Sequence, residues 1–317
     1  MVVQAADPRA WSAATVDDST RWYFPLSPKL LRDLRDVIVA QPPEKPITAI
    51  LLTEKQRSQW SEALAPALHD LEEGRGFVII DRLPIAELSQ REAVALYWLV
   101  GQLLGEQFAQ NVQGTLLYDV RDTGQDVASG ARFSVTSYES SFHTDNSFGD
   151  EILDYVGLLC LRTAKSGGIS QNVSGLAAVE VLRKEHPDVL EILSQPLHVD
   201  RRGGTREGEA PTVLRPVIAW DDDELILRYL RYWIEAGHEK VNQPLTAAQR
   251  RALDVLDEVL KQPALRVEFS LEPGQMYFIN NRWILHNRTA FVDYPDLEQR
   301  RHLVRLWLKS ATSGRAA

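Results

Sequence analysis

The chain has 317 residues, of which 44% are hydrophobic and 25% are charged, so it is long enough to bury one large core. Its net charge of −9, from 35 basic and 44 acidic residues, argues against a nucleic-acid partner held through phosphates. The single cysteine, Cys160, excludes an internal disulfide and a cysteine-rich metal site. It stands in an apolar run, where we expect it to pack as a small hydrophobe.

The sequence also bears on compartment and domain count. No apolar stretch reaches the ~18–20 residues that a membrane span needs, and the N-terminus lacks a signal-peptide pattern. We therefore expect a cytoplasmic protein with no membrane partner. No repeat or linker interrupts residues 1–317, which predicts a single domain and leaves a homo-oligomer open.

The hydrophobic pattern of residues 1–110 predicts a flank of helices around one buried strand. The predicted elements are helices over 30–39, 54–72 and 90–104 and a strand over 77–80. Ser89 and Glu92 have the spacing of a capping box at the start of the third helix, and Gly105 is expected to provide its C-cap.

From residue 111 to 310 the pattern changes to short strands, which indicates a β-rich α+β fold with a sandwich or barrel. The predicted strands are 115–120, 133–136, 154–161, 169–173, 224–232, 266–269, 276–279, 284–286 and 302–308, and the predicted helices are 175–184, 187–193 and 246–261. The last helix lies in an insert at about 222–263. The polar, glycine-rich segment 201–210 is either a lid over a site or the solvated end of a hairpin.

Two short stretches carry the candidate chemistry, His143-Thr144-Asp145 and the distant His286. Two imidazoles and one carboxylate are the ligands of the facial triad that holds non-haem Fe(II). If the first stretch is extended, His143 and Asp145 point to the same side, and His286 must come from a strand beside it. A His-X-Asp triplet also occurs in surface turns, so the assignment depends on the residues downstream of His286.

Downstream, an expected strand carries Arg301 and Arg305 on the same face as Leu303 and Trp307. Guanidinium groups on an otherwise apolar face need anionic partners, because burying an unpaired charge is costly. A structural salt bridge is one account. Coupled to the triad, a planar guanidinium 15 residues past the second histidine (301 − 286 = 15) suits the distal carboxylate of a keto acid.

At these residues the sequence resembles the TauD/TfdA family, over about residues 75–310. The similarity is carried by His143-Thr144-Asp145, Lys165-Ser166-Gly167-Gly168-Ile169-Ser170, Asn281-Arg282, His286 to Phe291 and Arg300 to Trp307. Members of that family are Fe(II)- and 2-oxoglutarate-dependent dioxygenases of the clavaminate-synthase-like superfamily. The resemblance implies a double-stranded β-helix (jelly-roll) core with N-terminal helices and a helical insert between barrel strands.

The resemblance also implies residue roles. His143, Asp145 and His286 would bind Fe(II), Arg301 and Ser170 would hold 2-oxoglutarate, and Arg305 would assist there. The implied reaction uses O₂ to hydroxylate an unactivated C–H bond of a small polar metabolite, such as an amino acid, a sulfonate, a phosphonate or a biosynthetic intermediate. It releases succinate and CO₂. A carboxylate at Asp145 disfavours halogenation, because halogenases leave that position to chloride.

Substrate contacts are expected from residues near the triad and from two further arginines. The candidates are Tyr138, Glu139, Ser141, Asn146, Asn111, Arg228 and Arg231. Either arginine in the pocket would favour an anionic or zwitterionic substrate. We expect structural roles for Arg288 and for His198, His238 and His302. Three alternatives stay open: desaturation or cyclisation by the same cofactors, a non-catalytic small-molecule-binding jelly roll, and a zinc hydrolase.

Overall fold

The computed structural model describes residues 7–16, 18–125, 133–202, 205 and 207–311. Its helices fall into a group before the main strands and a group between them. They are α1 Pro28–Val39, α2 Glu54–Trp60, α3 Ala65–Glu72, α4 Gln90–Leu104, α5 Gly175–Glu185, α6 Pro187–Leu193, α7 Arg231–Lys240 and α8 Ala247–Leu260. None of the helices in this described part of the chain is long and apolar enough to cross a membrane.

The strands are short, and most of them pair antiparallel. They are β1 Tyr23–Pro25, β2 Phe77–Asp81, β3 Glu106–Phe108, β4 Leu117–Val120, β5 Tyr155–Arg162, β6 Ser166–Gly167, β7 Ser170–Ser174, β8 Leu197–Asp200, β9 Thr212–Arg215, β10 Ile218–Asp221, β11 Glu224–Leu227, β12 Arg266–Phe269, β13 Met276–Asn280, β14 Ile284–Arg288, β15 Phe291–Val292 and β16 His302–Lys309.

A seven-stranded sheet has the order β1-β2-β13-β5-β16-β3, with β4 also paired to β16. Strands β1, β2 and β3 come from the predicted flank, so residues 1–110 contribute to this sheet as well as covering it. Helix α4 lies against one face. Every residue from Ala93 to Leu104 is buried, and Trp98 belongs to the same apolar cluster as Val78 and Phe278 of the sheet. A helix apolar on all sides is stable only when it is enclosed in this way.

A three-stranded sheet, β12-β7-β14, packs on the opposite face of the large sheet. One buried cluster contains Phe77 and Tyr277 of the large sheet together with Val173 and Leu285 of the small sheet. The two sheets therefore share a core between them. Helices α5 to α8 extend this core, since α6 packs on α8 and α5 packs on both. Side chains from the middle of β14 and β16 line a cavity with residues of other elements, and this is where the candidate site lies.

Most predicted elements are present, within a few residues of their expected bounds. The capping box of Ser89 and Glu92 is confirmed, and Thr246 and Gln249 form another at the start of α8. Gly105 is the C-cap of α4, as expected, with an extended backbone at a φ of 179°. A β-carbon there would lie 2.3 Å from the carbonyl oxygen of Lys309, so the close approach of two backbones explains the glycine.

Three predicted elements are wrong. The helix predicted over 54–72 is divided by a 3₁₀ turn at Ser61–Leu64, and α3 restarts with a proline in its first turn. The strand predicted over 133–136 is a 3₁₀ turn at Phe133–Val135. The strand predicted over 224–232 ends at Leu227, and Arg231 begins α7. In this last case the apolar residues follow the helical period from Leu230 onward, packing Ile234 inward.

Candidate metal centre and its cavity

The two histidines of the predicted triad lie side by side. His143 and His286 form an isolated antiparallel bridge, in which each backbone N–H donates to the other residue's carbonyl at 3.0 Å. Their ring centroids are 4.2 Å apart. Ligand atoms of His143, Asp145 and His286 all lie within 4.8 Å of one another. Side chains separated by 143 residues of sequence (286 − 143 = 143) thus converge on one point.

The stretch that carries His143 and Asp145 is not a strand, contrary to our expectation. After the single bridge at His143 the chain enters a turn. Ser141, before this stretch, and Asn146, after it, have positive φ angles of 59° and 56°. The direction of the Asp145 side chain is therefore set by a turn, and not by the alternation of side chains along a strand. The side-chain amide of Asn281, just before β14, holds the backbone of Asp145 in place.

The Asp145 carboxylate accepts hydrogen bonds from two side chains of β16. Arg305 Nη1 lies 3.3 Å from Oδ1 and 3.1 Å from Oδ2, and Trp307 Nε1 lies 3.1 Å from Oδ2. Burial raises the pKa of Asp145, but the Arg305 charge, the two imidazoles and the Trp307 hydrogen bond outweigh it and hold that pKa below its usual range. The carboxylate is consequently an anion at neutral pH.

Both imidazoles are neutral, as metal ligands must be. Burial lowers the pKa of His143 and lowers that of His286 to about 3, and the charge of Arg305 acts in the same direction on both. His143 Nδ1 lies 2.9 Å from the carbonyl oxygen of Ser141, which can only accept, so this nitrogen carries the proton and Nε2 has its lone pair free. His286 Nδ1 is buried without a hydrogen-bond partner among the described residues.

Arg301 is buried on the same cavity and forms no ion pair among the described residues, although the charge of Asp293 acts on it from farther away. Only 6% of the residue is exposed, and Nη1 has no hydrogen-bond partner in the described part of the chain. Its guanidinium carbon lies 5.1 Å from the centre of the Phe291 ring. Burial lowers the pKa of Arg301 to about 10, which leaves it protonated at neutral pH. A carboxylate of a bound dicarboxylate would satisfy this group, and the hydroxyl of buried Ser170 lines the same cavity.

The cavity has a volume of about 130 Å³ and combines the metal ligands with aromatic and polar side chains. Its remaining lining includes Gln110, Asn146, Phe148, Leu230, Trp233, Asn287, Arg288 and Trp307. Sequence reasoning did not assign Gln110, Phe148, Leu230 or Trp233 to the site. Trp307 could be placed there from its position two residues after Arg305 on one strand face. For Trp233 no local signal existed, because the start of α7 has the pattern of a strand end.

Among the substrate candidates, Asn146 lines the cavity, whereas the three residues before the triad have other contacts. The Tyr138 side chain is 53% exposed. Glu139 accepts a hydrogen bond from Asn287 at 2.8 Å. Ser141 supplies the carbonyl that fixes the His143 tautomer. These residues thus support the triad from outside the cavity.

The remaining three candidates lie away from the cavity lining. Asn111 closes a turn through its bonds to Thr115. Arg228 donates to the carbonyl of Gly149 and borders a small separate cavity behind Asp145. Arg231 faces α8, because it pairs with Glu235, Asp254 and Asp257 at 2.7–2.9 Å.

Arg288 and Asn287 have structural contacts. Arg288 donates to the carbonyls of Thr136 and Tyr138 and lies over the Phe291 ring. It therefore anchors the wall formed by residues 134–140. Asn287 lies inside β14 in regular pairing with Gln171, so its backbone is extended.

Two neutral imidazoles, one carboxylate and an unmatched buried guanidinium on one cavity define a non-haem iron oxygenase that takes a dicarboxylate cosubstrate. Residues 43–307 match the family described as taurine catabolism dioxygenase TauD, TfdA family, and the chain belongs to this family. It is a dioxygenase that uses Fe(II), 2-oxoglutarate and O₂ and acts on a small molecule.

The chain is similar to several characterised proteins. It is 26% identical to FR-33289 synthase of Streptomyces rubellomurinus over 307 residues, which cover 94% of this chain and 88% of that protein. It is 34% identical to uridine-5'-phosphate dioxygenase of an Amycolatopsis species over 163 residues, 49% of this chain and 58% of that one. An asparagine oxygenase structure matches with a TM-score of 0.63 at 20% identity, over 92% of this chain and 94% of the other.

Proposed function

We propose that the enzyme hydroxylates an unactivated C–H bond of a small polar metabolite, with His143, Asp145 and His286 as iron ligands. Arg301 and Ser170 receive the distal carboxylate of 2-oxoglutarate. The observation that supports this assignment best is the buried Arg301 guanidinium with its unpartnered Nη1, since a charge in that state is costly unless a ligand completes it.

Each group of the chain has a task that follows from its position. Fe(II) with 2-oxoglutarate and O₂ supplies the oxidising chemistry, in which 2-oxoglutarate loses CO₂ to give succinate and the substrate gains a hydroxyl. Ser141 keeps His143 in one tautomer, and Trp307 orients Asp145. The apolar side of the cavity, with Phe148, Leu230 and Trp233, excludes water from the reacting carbon.

Arg305 has a different position from Arg301, since it already binds Asp145 and Gln110. We propose that it neutralises the ligand carboxylate before metal arrives and turns toward the bound keto acid afterwards. The Gln110 bond at 2.7 Å keeps its guanidinium in the cavity in both arrangements.

We also propose that the seven-stranded and three-stranded sheets form a double-stranded β-helix, with α7 and α8 as the insert, and that the chain is one domain in a reducing cytoplasm. The shared core between the sheets supports this, because neither sheet buries its apolar face without the other. The buried thiol of Cys160 and the need for ferrous iron are compatible with a reducing compartment.

An anaerobic titration tests the assignment. Fe(II) followed by 2-oxoglutarate should produce a weak visible metal-to-ligand charge-transfer band, whereas a zinc hydrolase or a non-catalytic binding protein should not. Screening metabolites for substrate-stimulated succinate formation then identifies the substrate, and mass analysis of the product separates hydroxylation from desaturation or cyclisation. Absence of the band and of any succinate would contradict the proposed function.

The metabolite screen should include the substrate types that appear in the names of the proteins to which this chain is similar. These are a nucleoside monophosphate, as in uridine-5'-phosphate dioxygenase, and free amino acids, as in the asparagine oxygenase. Phosphonates and sulfonates complete the panel, because the cavity lining contains three arginines, Arg288, Arg301 and Arg305, and Asp145 as its one acid among the described residues.

A further inference from the structure

Two arginines bind a single carboxylate, and a third binds the backbone beside it. Arg201 donates to Asp150 from both terminal nitrogens, at 3.2 and 3.4 Å, and Arg215 donates to Asp150 Oδ1 at 2.9 Å. Arg228 donates to the carbonyl of the preceding residue, Gly149. We call Arg201, Arg215 and Arg228 the Asp150 arginine cluster.

The cluster has unused hydrogen-bonding capacity as well as excess positive charge. The Nε atoms of Arg201 and Arg215 are buried without a partner among the described residues. Burial lowers the pKa of Arg228 to about 10, the nearby charge of Arg215 adds to this effect, and the group remains protonated at neutral pH. Three guanidinium charges therefore face one carboxylate that is itself 63% exposed.

Two other arginines of this protein have a more balanced environment. Arg231 is matched by three carboxylates, and Arg9 by two, in a chain with nine more acidic than basic residues (44 − 35 = 9). Two described acids in this region have other partners, since Asp200 pairs with Lys240 and Glu151 pairs with Lys309. Arg228 is explained by its bond to the turn at Gly149, whereas Arg201 and Arg215 share one exposed carboxylate.

Two aromatic side chains of the cavity lining lie close in space or in sequence to the segments that carry the cluster. Phe148, two residues before Asp150, lines the cavity and lies 5.1 Å from the ring of Trp233, which lines it too. The guanidinium of Arg202, next to Arg201 in the chain, is 6.0 Å from the same Trp233 ring. Asp150 lies five positions after Asp145, a separation of at most ~18 Å when extended, and the turn closed by the bond from Gly149 N–H to the Asn146 carbonyl makes it shorter.

We propose that the Asp150 arginine cluster binds an oxyanion of the substrate, of the phosphate or phosphonate type, while the reacting carbon lies at the metal. Clustered guanidinium groups with free N–H donors suit the geometry of such an oxyanion. The inference rests on the proposed function, because it places the rest of the substrate in the oxygenase cavity. Asp150 competes with the substrate for the three arginines and so weakens its binding.

The test uses the whole enzyme loaded with Fe(II) and 2-oxoglutarate under anaerobic conditions. Phenylphosphonate is titrated while the fluorescence of tryptophan, which includes Trp233, is recorded. Phenylacetate serves as the carboxylate arm and benzyl alcohol as the uncharged arm. We expect saturable binding of phenylphosphonate that weakens with added salt, weaker binding of phenylacetate, and none of benzyl alcohol.

Variants with opposite expected effects on phenylphosphonate binding distinguish a role of the cluster in oxyanion binding from a role in supporting the turn at Gly149. The double variant Arg201→Gln/Arg215→Gln should weaken phenylphosphonate binding by about tenfold or more. Asp150→Asn should strengthen it several-fold, because the competing carboxylate is gone. Arg251→Gln is the matched control. It removes an exposed ion pair between Arg251 on α8 and Asp188 on α6, and it should not change phenylphosphonate binding. Urea unfolding of each variant shows whether it is folded.

The proposal is overturned if Asp150→Asn binds the probe no better than the wild type, or if the double variant binds it equally well. Equal binding of benzyl alcohol would overturn it too. The charge-transfer band recorded in the same samples keeps the two proposals apart. If the wild type lacks the band, the oxygenase assignment fails, whereas a normal band with probe binding insensitive to the cluster contradicts the oxyanion site alone.

Discussion

Asn281 binds the backbone of Asp145 at both ends of that residue. Its Oδ1 accepts from the Asp145 N–H at 2.8 Å, and its Nδ2 donates to the Asp145 carbonyl at 3.0 Å. The same Nδ2 donates to the carbonyl of Leu153 at 3.2 Å. One amide side chain therefore takes over the positioning that a strand would otherwise provide for the carboxylate ligand.

Replacing this amide should loosen the metal site. Asn281→Asp removes the Nδ2 donor and sets a negative charge against two carbonyl oxygens, so we expect metal affinity to fall by about 10–100-fold. Anaerobic titration with Fe(II) or Mn(II) measures it. Asn280→Asp is the control, because that buried neighbour contacts Leu71 and Arg282 instead. Equal losses in both variants would show a general loss of structure.

Arg301 should lower the stability of the ligand-free enzyme, although it helps to bind 2-oxoglutarate. Replacing it by Met removes a buried unmatched charge, so we expect the ligand-free enzyme to gain about 1 kcal/mol in free energy of unfolding. The same variant should bind 2-oxoglutarate at least about 30-fold more weakly and still bind metal. Urea unfolding and anaerobic 2-oxoglutarate titration measure the two effects. The adjacent Arg300→Met, whose side chain contacts Tyr294, should show neither.

Asn287 should be important for stability because it joins three side chains. Its Nδ2 donates to Glu139 and to Gln171, both at 2.8 Å, and its Oδ1 accepts from Ser140 at 2.9 Å. Asn287→Leu leaves the buried side chains of Gln171 and Ser140 without this partner and should lower the free energy of unfolding by about 2–3 kcal/mol. Chemical denaturation tests this. The exposed Gln299→Leu should change it by less than about 0.5 kcal/mol.

His238 should give the protein a pH-dependent stability unrelated to the metal. Its Nδ1 donates to the carbonyl of Gln243 at 2.7 Å, and its Nε2 accepts from the N–H of His198 at 3.2 Å. Burial, with the nearby His198, lowers the pKa of His238 below its ordinary value, so the unfolded chain binds more protons than the native one. Stability from this group is present above pH ~6.5 and is lost as the pH falls.

The expected slope from His238 is at most about 1.4 kcal/mol per pH unit. Denaturation of the wild type and of His238→Gln between pH 7.5 and about 5 checks it. The variant should be less stable at neutral pH but should lose less stability on acidification. An unchanged slope would contradict the neutral, hydrogen-bonded state assigned to His238.

The sequence by itself predicted a set of metal ligands, and it determined the cofactors and the orientation of the last strand. On β16, Leu303 and Trp307 belong to the core between the sheets and Val304, Leu306 and Leu308 pack toward α4, as the alternation of residues predicted. These features are local, since they depend on residue type and on the two-residue period of a strand. Motif spacing added the family, and with it the reaction class.

Only the tertiary structure decided how Asp145 is held, which arginines reach the cavity and where the Asp150 arginine cluster lies. Arg228 and Arg231 are equally polar in sequence, but one supports the turn after Asp145 and the other pairs with acids of α7 and α8. Such partners come from residues tens of positions away. Because the energy of a charge depends on what surrounds it after folding, no local pattern carries that information.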